Sequence, residues 1–312
     1  MAIRLRDGNP PVGWQSARDL GGGTIAIAPY GTCVESMEGY MRELPRCQTI
    51  ERSIHKKYRK TLWNPFIAAV KRYELIKEND RIAVCLSGGK DSALLAKLTQ
   101  ELQRHSDVPF ELRFVVMDPG YSPEVRQTVE DNAALLEIPA VVYSSDIFRT
   151  VAGMKGSPCY LCARMRRGHL YSYAKELGCN KIALGHHFND VVETVLMGML
   201  YGAQIQTMMP KLRSRNFPGM ELVRPLYCVR EDDISAWARY NGLSFIHCSC
   251  PLSDTCGGSK RQEVKELLQK LRQDDKDVET RVFQSVHMVN LDTVIGYKQG
   301  GVEHSFLEGY DT

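Results

Sequence analysis

Nowhere in these 312 residues does an uninterrupted apolar run approach the ~18 residues that a membrane-spanning helix needs. The first residues also lack the charged start and apolar block of a secretory leader. The chain is therefore expected to be cytoplasmic, with no membrane partner. Net charge is scarce as well: 40 Lys and Arg against 37 Asp and Glu leave +3 at neutral pH. That is too little to demand a nucleic acid, so such a partner has to be read from where basic residues cluster. The common phosphate-loop pattern, Gly-x-x-x-x-Gly-Lys-Ser/Thr, is missing too, because Val84 stands where its first glycine would be and Asp91 where its Ser or Thr would be. Cysteine is not scarce. Ten of them in a chain of this size without a leader read as metal ligands or reactive thiols rather than a disulfide frame. With 43% hydrophobic residues the chain can bury a full core, as one large domain with appendages or two small ones.

Arg81-Ile82-Ala83-Val84-Cys85-Leu86 has the length and composition of a buried parallel strand. Ser87-Gly88-Gly89-Lys90-Asp91-Ser92 separates it from a segment with helical spacing, so the stretch reads as strand, tight loop, helix. Two adjacent glycines allow positive φ and leave no side chain between backbone and ligand, while the helix behind them presents unpaired N–H groups and the positive end of its dipole. Ser87 and Ser92 add hydroxyls and Lys90 a charge, which suits the phosphate tail of a nucleotide. A glycine-rich turn with no ligand would explain the glycines but not the Lys90-Asp91 pair directly behind them.

Ahead of this loop, Ile54, Tyr58, Leu62, Phe66, Val70 and Tyr73 predict helix between Thr49 and Glu78, interrupted or kinked at Pro65. Its first half is basic, with His55, Lys56, Lys57, Arg59 and Lys60 fitting a solvated face or an RNA-backbone contact equally well. Behind the loop, Leu94, Leu95, Leu98 and Leu102 share one helical face. Leu112–Met117, ending at Asp118, predicts a second strand, Ser122-Pro123 a capped helix start, and Ala140–Tyr143 a third strand. A fourth strand, Lys181–Leu184, delivers Gly185-His186-His187-Phe188-Asn189-Asp190, where Asn189 or Asp190 can cap a helix carrying Val191, Val195, Leu196 and Met199. Leu243–His247 reads as the last strand. After it, Ser259-x-x-Gln262 opens a helix with Val264, Leu267, Leu268 and Leu271 inward. Alternating strands and helices predict an α/β fold, a doubly wound and mostly parallel sheet whose ligands bind at the carboxyl ends of the strands.

Two further patterns carry chemistry. Cys159-Tyr160-Leu161-Cys162 lets two sulfurs meet one metal centre, and Arg164, Arg166 and Arg167 nearby favour thiolates. The spacing leaves a redox dithiol, half a zinc site and two ligands of an iron–sulfur cluster all open. The second is the carboxylate Asp190, since magnesium on nucleotide phosphates usually takes one or two carboxylates.

Ser-Gly-Gly-Lys-Asp-Ser behind an apolar strand resembles the signature of the PP-loop ATP pyrophosphatases, which split ATP between the α and β phosphates and use the adenylate to activate a carbonyl oxygen. Gly-His-His-x-x-Asp after a strand, preceded by Cys-x-x-Cys and Arg-Arg-Gly, resembles the cluster-dependent tRNA thiolases within that superfamily. Arg224-Pro225-Leu226, a later cysteine and the Arg261-Gln262 helix opening are similar to the tRNA 2-thiocytidine synthetase family, over about residues 50 to 290. The resemblance implies the adenine nucleotide alpha hydrolase-like fold. It implies nucleotide contacts from Ser87, Gly88, Gly89, Lys90, Asp91, Ser92, Asp118, Gly185 and His186, and catalytic roles for Lys90, Asp91 and Asp190. It also implies a [4Fe-4S] cluster on Cys159, Cys162 and Cys256, with one iron left to carry sulfide, together with ATP and Mg²⁺.

Among the late cysteines, Cys256 precedes Gly257-Gly258 and a capped helix whose dipole would favour its thiolate, whereas Cys248 ends a strand and Cys250 precedes Pro251. The expected division is an N-terminal extension over 1–48, loosely structured, then a basic helical segment over 49–80. An ATP-binding domain over 81–250 follows, and then a C-terminal helix and tail over 251–312 with the third cluster cysteine. Expected partners are tRNA, met through Arg164, Arg166, Arg167, Lys211, Arg213 and Arg215, and a sulfur donor, either a cysteine desulfurase or sulfide. A homodimer is left open.

A pyrimidine carbonyl oxygen is a poor leaving group until adenylated, so ATP cleavage and sulfur transfer belong in one sequence. The expected reaction is therefore ATP-dependent thiolation of a tRNA base, with cytidine first. Thiolation of another base, or cluster-dependent removal of sulfur from a thiolated base, is the runner-up. Outside the enzymes stand a zinc-stabilised RNA-binding module, its site closed by Cys248, Cys250 or His247, and a nucleotide-binding iron–sulfur sensor.

Overall fold

The computed structural model describes residues 44–152, 158–246, 260–308 and 310. Its centre is β1 (Arg81–Leu86), hydrogen-bonded in parallel to β2 (Glu111–Asp118) on one side and to β4 (Lys181–Ala183) on the other. β3 (Ala140–Ser144), β5 (Lys211–Arg213) and β6 (Glu221–Val223) complete a sheet of order β3-β2-β1-β4-β6-β5, parallel except for the edge strand β5. The chain runs outward from β1 to β3 and then returns to lay β4 against β1. The strand order therefore reverses between β1 and β4, where such sheets open a crevice at their carboxyl edge.

Alternation along the central strands explains why both faces are covered. Ile82, Val84 and Leu86 of β1 and Leu112, Phe114 and Val116 of β2 enter one core, while Ala83, Cys85 and Val115 enter another. The first core is closed by α1 (Arg46–His55), α2 (Asn64–Arg72), α3 (Lys90–His105) and α8 (Glu231–Tyr240). In α3, Leu94, Leu95, Leu98 and Leu102 are fully buried, each burial worth about 2 kcal/mol. The second is closed by α6 (Pro158–Glu176). α4 (Pro123–Leu135) starts as its sequence predicts, Ser122 Oγ accepting from the Val125 N–H. α5 (Ile147–Ala152) connects β3 to α6. α9 (Lys260–Asp274) and α10 (Val278–Ser285) pack through Val264, Leu268 and Phe283 onto α7 (Phe188–Gly202). A hairpin, β7 (Gly296–Gln299) and β8 (Val302–Ser305), turns at Gly300-Gly301, both at positive φ. Among the described residues no helix is long and apolar enough to cross a membrane.

The predicted helix over 49–78 divides into α1 and α2, joined by a π turn at Arg59–Trp63, and Pro65 sits in the first turn of α2, where its missing N–H costs nothing. Several expectations are corrected. Leu243–Ile246 forms no strand: it follows Gly242 (φ +57) as an irregular segment and packs Phe245 and Ile246 against the core instead of pairing. The remaining sheet positions go to β5 and β6, each three residues long. Cys162 lies on α6, which starts at Pro158 and continues through Gly168 to Glu176. α7 is capped by His187 rather than Asn189 or Asp190. Met199 is exposed on the last turn of α7, and Leu267 and Leu271 lie outside the Val264–Leu268 stripe that meets it. The expected N-terminal extension over 1–48 lies outside the described residues up to position 43, and its end is corrected, because α1 already begins at Arg46; Cys248, Cys250 and Cys256 fall outside the described residues as well.

Candidate nucleotide site

The loop after β1 closes on itself before it meets any ligand. The Ser87 N–H donates to Ser92 Oγ (3.1 Å) and the Ser92 hydroxyl donates to the Gly89 carbonyl (2.9 Å). Gly88 holds φ at +81°, and a Cβ there would lie 2.4 Å from Ile246 Cδ1 and 2.7 Å from Val129 Cγ2. Glycine is required on both counts. Gly89 caps α3 without a side chain, which leaves the first-turn amides of a 16-residue helix facing the crevice. Lys90 and Asp91 belong to that first turn rather than to the loop.

β4 delivers the opposite wall. A Cβ on Gly185 would lie 3.1 Å from the Asp91 carbonyl carbon and the Ser92 nitrogen, so the two loops are in backbone contact. His187 then caps α7: its N–H donates to the Asp190 carboxylate (3.0 Å), and its Nε2 lies 3.6 Å from Asp190 and 3.9 Å from Asp91. The two carboxylates named from sequence are thus brought to the same imidazole nitrogen. Lys90 Nζ reaches both Asp91 (3.2 Å) and Glu231 (3.0 Å), the first residue of α8. From α9, Arg261 approaches Asp190 (3.7 Å) and Glu193 (3.0 Å), and Lys265 approaches Glu193 (3.6 Å) and Glu231 (3.4 Å).

Burial and charge compete at each of these groups. Burial opposes the Lys90 ammonium, but Asp91 and Glu231 outweigh it and hold its pKa above the ordinary value. Asp190 is also disfavoured as an anion by burial, yet His187, with a charge interaction and a backbone hydrogen bond, keeps its pKa low. At Glu193 burial wins, because Lys265 and Arg261 offset it only in part, and the carboxyl is raised to about 7. His186 is lowered to about 4 by burial and by the Arg224 guanidinium. His186 Nδ1 and His187 Nδ1 are buried without a hydrogen-bond partner among the described residues, while Asp91 Oδ1 and Glu193 Oε2 are buried with ion-pair neighbours alone, Lys90 Nζ at 3.2 Å and Arg261 Nε at 3.0 Å. These atoms belong to one crevice, which is the donor and acceptor set a polar ligand would satisfy. Beside it opens a cavity of about 620 Å³, lined by Gly89, Lys90, Glu231, Arg239 and Phe245, within the size range of small-molecule sites.

Asp118 ends β2 at the same edge, but its buried carboxylate is occupied: it accepts from the Gly120 (2.8 Å) and Tyr121 (2.7 Å) N–H groups. Through this turn the Tyr121 hydroxyl reaches the Ser87 carbonyl at 3.2 Å, tying the β2 end to the phosphate loop. Cys162 packs, half-buried, against the Met117, Ile147 and Val151 cluster, and so lies beside the end of β2. The structure therefore gathers Ser87–Ser92, Gly185, His186 and Asp190 into one crevice with Asp118 and Cys162 on its margin. Glu193, Glu231 and Lys265 were not legible as site residues. The signal for Glu193 was its place three residues after Asp190, on the same helical face of an otherwise apolar stretch.

A family model described as a PP-loop domain matches residues 50–254. A tRNA-cytidine(32) 2-sulfurtransferase of Pelobacter propionicus is 33% identical over 253 residues, covering 80% of this chain and 89% of that protein. One of Syntrophotalea carbinolica is 39% identical over 209 residues, covering 66% and 80%. Among solved structures, the U34-tRNA thiolase NcsA from Methanococcus maripaludis with its [4Fe-4S] cluster superposes with a TM-score of 0.58 over 81% of both chains. At 21% identity that match speaks for the fold alone.

Proposed function

Since the chain belongs to the PP-loop domain family, we propose that it transfers sulfur to a cytidine of tRNA at the expense of ATP. The observation that carries the reading is the glycine-capped N-terminus of α3, with Lys90 and Asp91 on its first turn, at a crevice that also holds Asp190 and the buried, unpartnered His186 and His187 nitrogens.

The first-turn amides of α3 and Lys90 hold the nucleotide phosphates, with Ser87, Gly88, Gly89 and Ser92 shaping the loop. The Asp118 turn, Gly185 and His186 flank the rest of the nucleotide. The cytidine carbonyl oxygen attacks the α-phosphorus; the new O–P bond forms as the bridge to the β-phosphate breaks, and pyrophosphate leaves. Sulfide then attacks C2 of the base and AMP carries the oxygen away. His186, held neutral, can donate or accept at Nδ1 without adding charge. Lys265 balances Glu231 beside Lys90, and Arg261 balances Asp190.

Two resident groups fit this frame. Asp91 and Asp190, both carboxylates lying near His187 Nε2, suit Mg²⁺, which would screen the phosphate charge. Cys159 and Cys162 lie one turn apart at the start of a helix, whose N-terminus favours thiolates, and with Cys256 they suit a [4Fe-4S] cluster. When bound, such a cluster supplies an iron with an open position that can carry sulfide. The sulfide would come from a cysteine desulfurase or from inorganic sulfide, in the cytoplasm.

Mass spectrometry of tRNA nucleosides from cells lacking the gene, then restored with the wild type or with Asp91→Asn, tests the proposal. The expected result is loss of 2-thiocytidine, its return with the wild type, and no return with Asp91→Asn. Loss of a different thionucleoside would move the substrate to that base, and an unchanged nucleoside pool would remove sulfur transfer altogether.

A further inference from the structure

Far from the nucleotide crevice, at the opposite end of α3, three side chains with metal-ligating atoms meet. His55 is the last residue of α1, and Glu101 and His105 lie four residues apart on the last turn of α3. One carboxylate oxygen, Glu101 Oε2, lies 2.8 Å from His55 Nε2 and 3.8 Å from His105 Nε2. The three ligand atoms all fall within 4.8 Å of one another. From these positions we propose that His55, Glu101 and His105 form a site for a late first-row divalent cation, Zn²⁺ first among them.

The surroundings favour a cation over a simple hydrogen-bonded cluster. The other carboxylate oxygen, Glu101 Oε1, is taken by Arg104 at 2.6 Å, which turns Oε2 toward the two imidazoles. Arg104 is itself shared with Glu51 at 2.8 Å, and Glu51 also meets buried Lys97, so two carboxylates already balance the two nearby cations. A dication would therefore enter a locally neutral setting. The Trp63 ring, placed by the π turn, meets the His55 ring edge-on at 4.7 Å and fixes its plane. Two imidazoles and one carboxylate, with room for water, match zinc and its neighbours rather than Mg²⁺ or Ca²⁺, which prefer all-oxygen sites. Zn–N bonds of about 2.0 Å require ligand atoms roughly 3.3 Å apart, which small side-chain rotations reach from here. The ion would join α1 to α3 and so bind the first described helix to the sheet core.

The side chain of His105 is 54% exposed, so His105→Ala should fold normally. Calorimetric titration of Zn²⁺ into the full-length protein, cluster included, should show one more ion per chain in the wild type than in His105→Ala. That difference cancels any binding at cysteines. Affinity at this site should drop more than about tenfold in both His105→Ala and Glu101→Gln, the scale on which even outer partners of metal ligands act. Zn²⁺ should also raise the melting temperature of the wild type but not of His105→Ala. Equal stoichiometry and affinity in wild type and His105→Ala, or a wild type with no saturable difference, would overturn the assignment.

Discussion

Burial keeps the His186 imidazole neutral down to about pH 4, whereas in the unfolded chain it takes a proton near 6.5. The unfolded state therefore binds more protons between these values, and the stability associated with the neutral ring is present above about 6.5 and lost as pH falls to about 4. Glu193 runs the other way: its carboxyl, raised to about 7 from 4.5, makes stability fall as pH rises through that window. Comparing wild type with His186→Gln separates the two, since only the first contains the imidazole. Urea midpoints measured from about pH 7 down to 4.5 should drop more steeply in the wild type, by an amount on the order of 2 kcal/mol; parallel curves would mean that His186 titrates as if exposed. The sequence marked His186 through its place behind a strand, but nothing in it announced that Glu193 would be driven toward neutrality. That depends on α9 covering the crevice, a packing event some seventy residues further along the chain.

The strand-loop-helix unit from Arg81 to His105 can be tested at its tightest point. Gly88→Ala forces an L residue to φ +81° and drives a methyl into Ile246 and Val129. About 1–2 kcal/mol for the left-handed backbone and a further 1–3 for overpacking predict a loss of about 2–5 kcal/mol by chemical denaturation. Gly89→Ala is the internal comparison. Its φ is −86° and its nearest new contact is 3.7 Å, so its stability should stay close to wild type. Equal losses would show that the loop is not held as described. The units legible in the sequence were β1 to β4, α3, α4, α7 and α9. β5 and β6 were not, and Leu243–Ile246 imitated a strand because four apolar-rich residues can equally well be a plug. Ile246 serves as that plug, seated over Gly88.

At the scale of the molecule, Arg164 and Arg167 on α6 and Arg213 and Arg215 at and after β5 are exposed to solvent. If four such residues neutralise tRNA phosphates, raising salt from about 50 to 200 mM should weaken binding on the order of 10²-fold. Filter binding at graded salt reads the slope directly, and a flat response would remove RNA from the proposed reaction. The Lys90–Glu231 contact joins residues 141 positions apart. As an ion pair of two partly exposed groups it contributes no more than about 1 kcal/mol, but it has a consequence in time. At ~5–20 residues per second, a ribosome needs roughly 7–28 s to extend the chain from one partner to the other. A nascent chain that already displays its phosphate loop therefore lacks the carboxylate wall opposite it, and the nucleotide crevice is completed only late in synthesis.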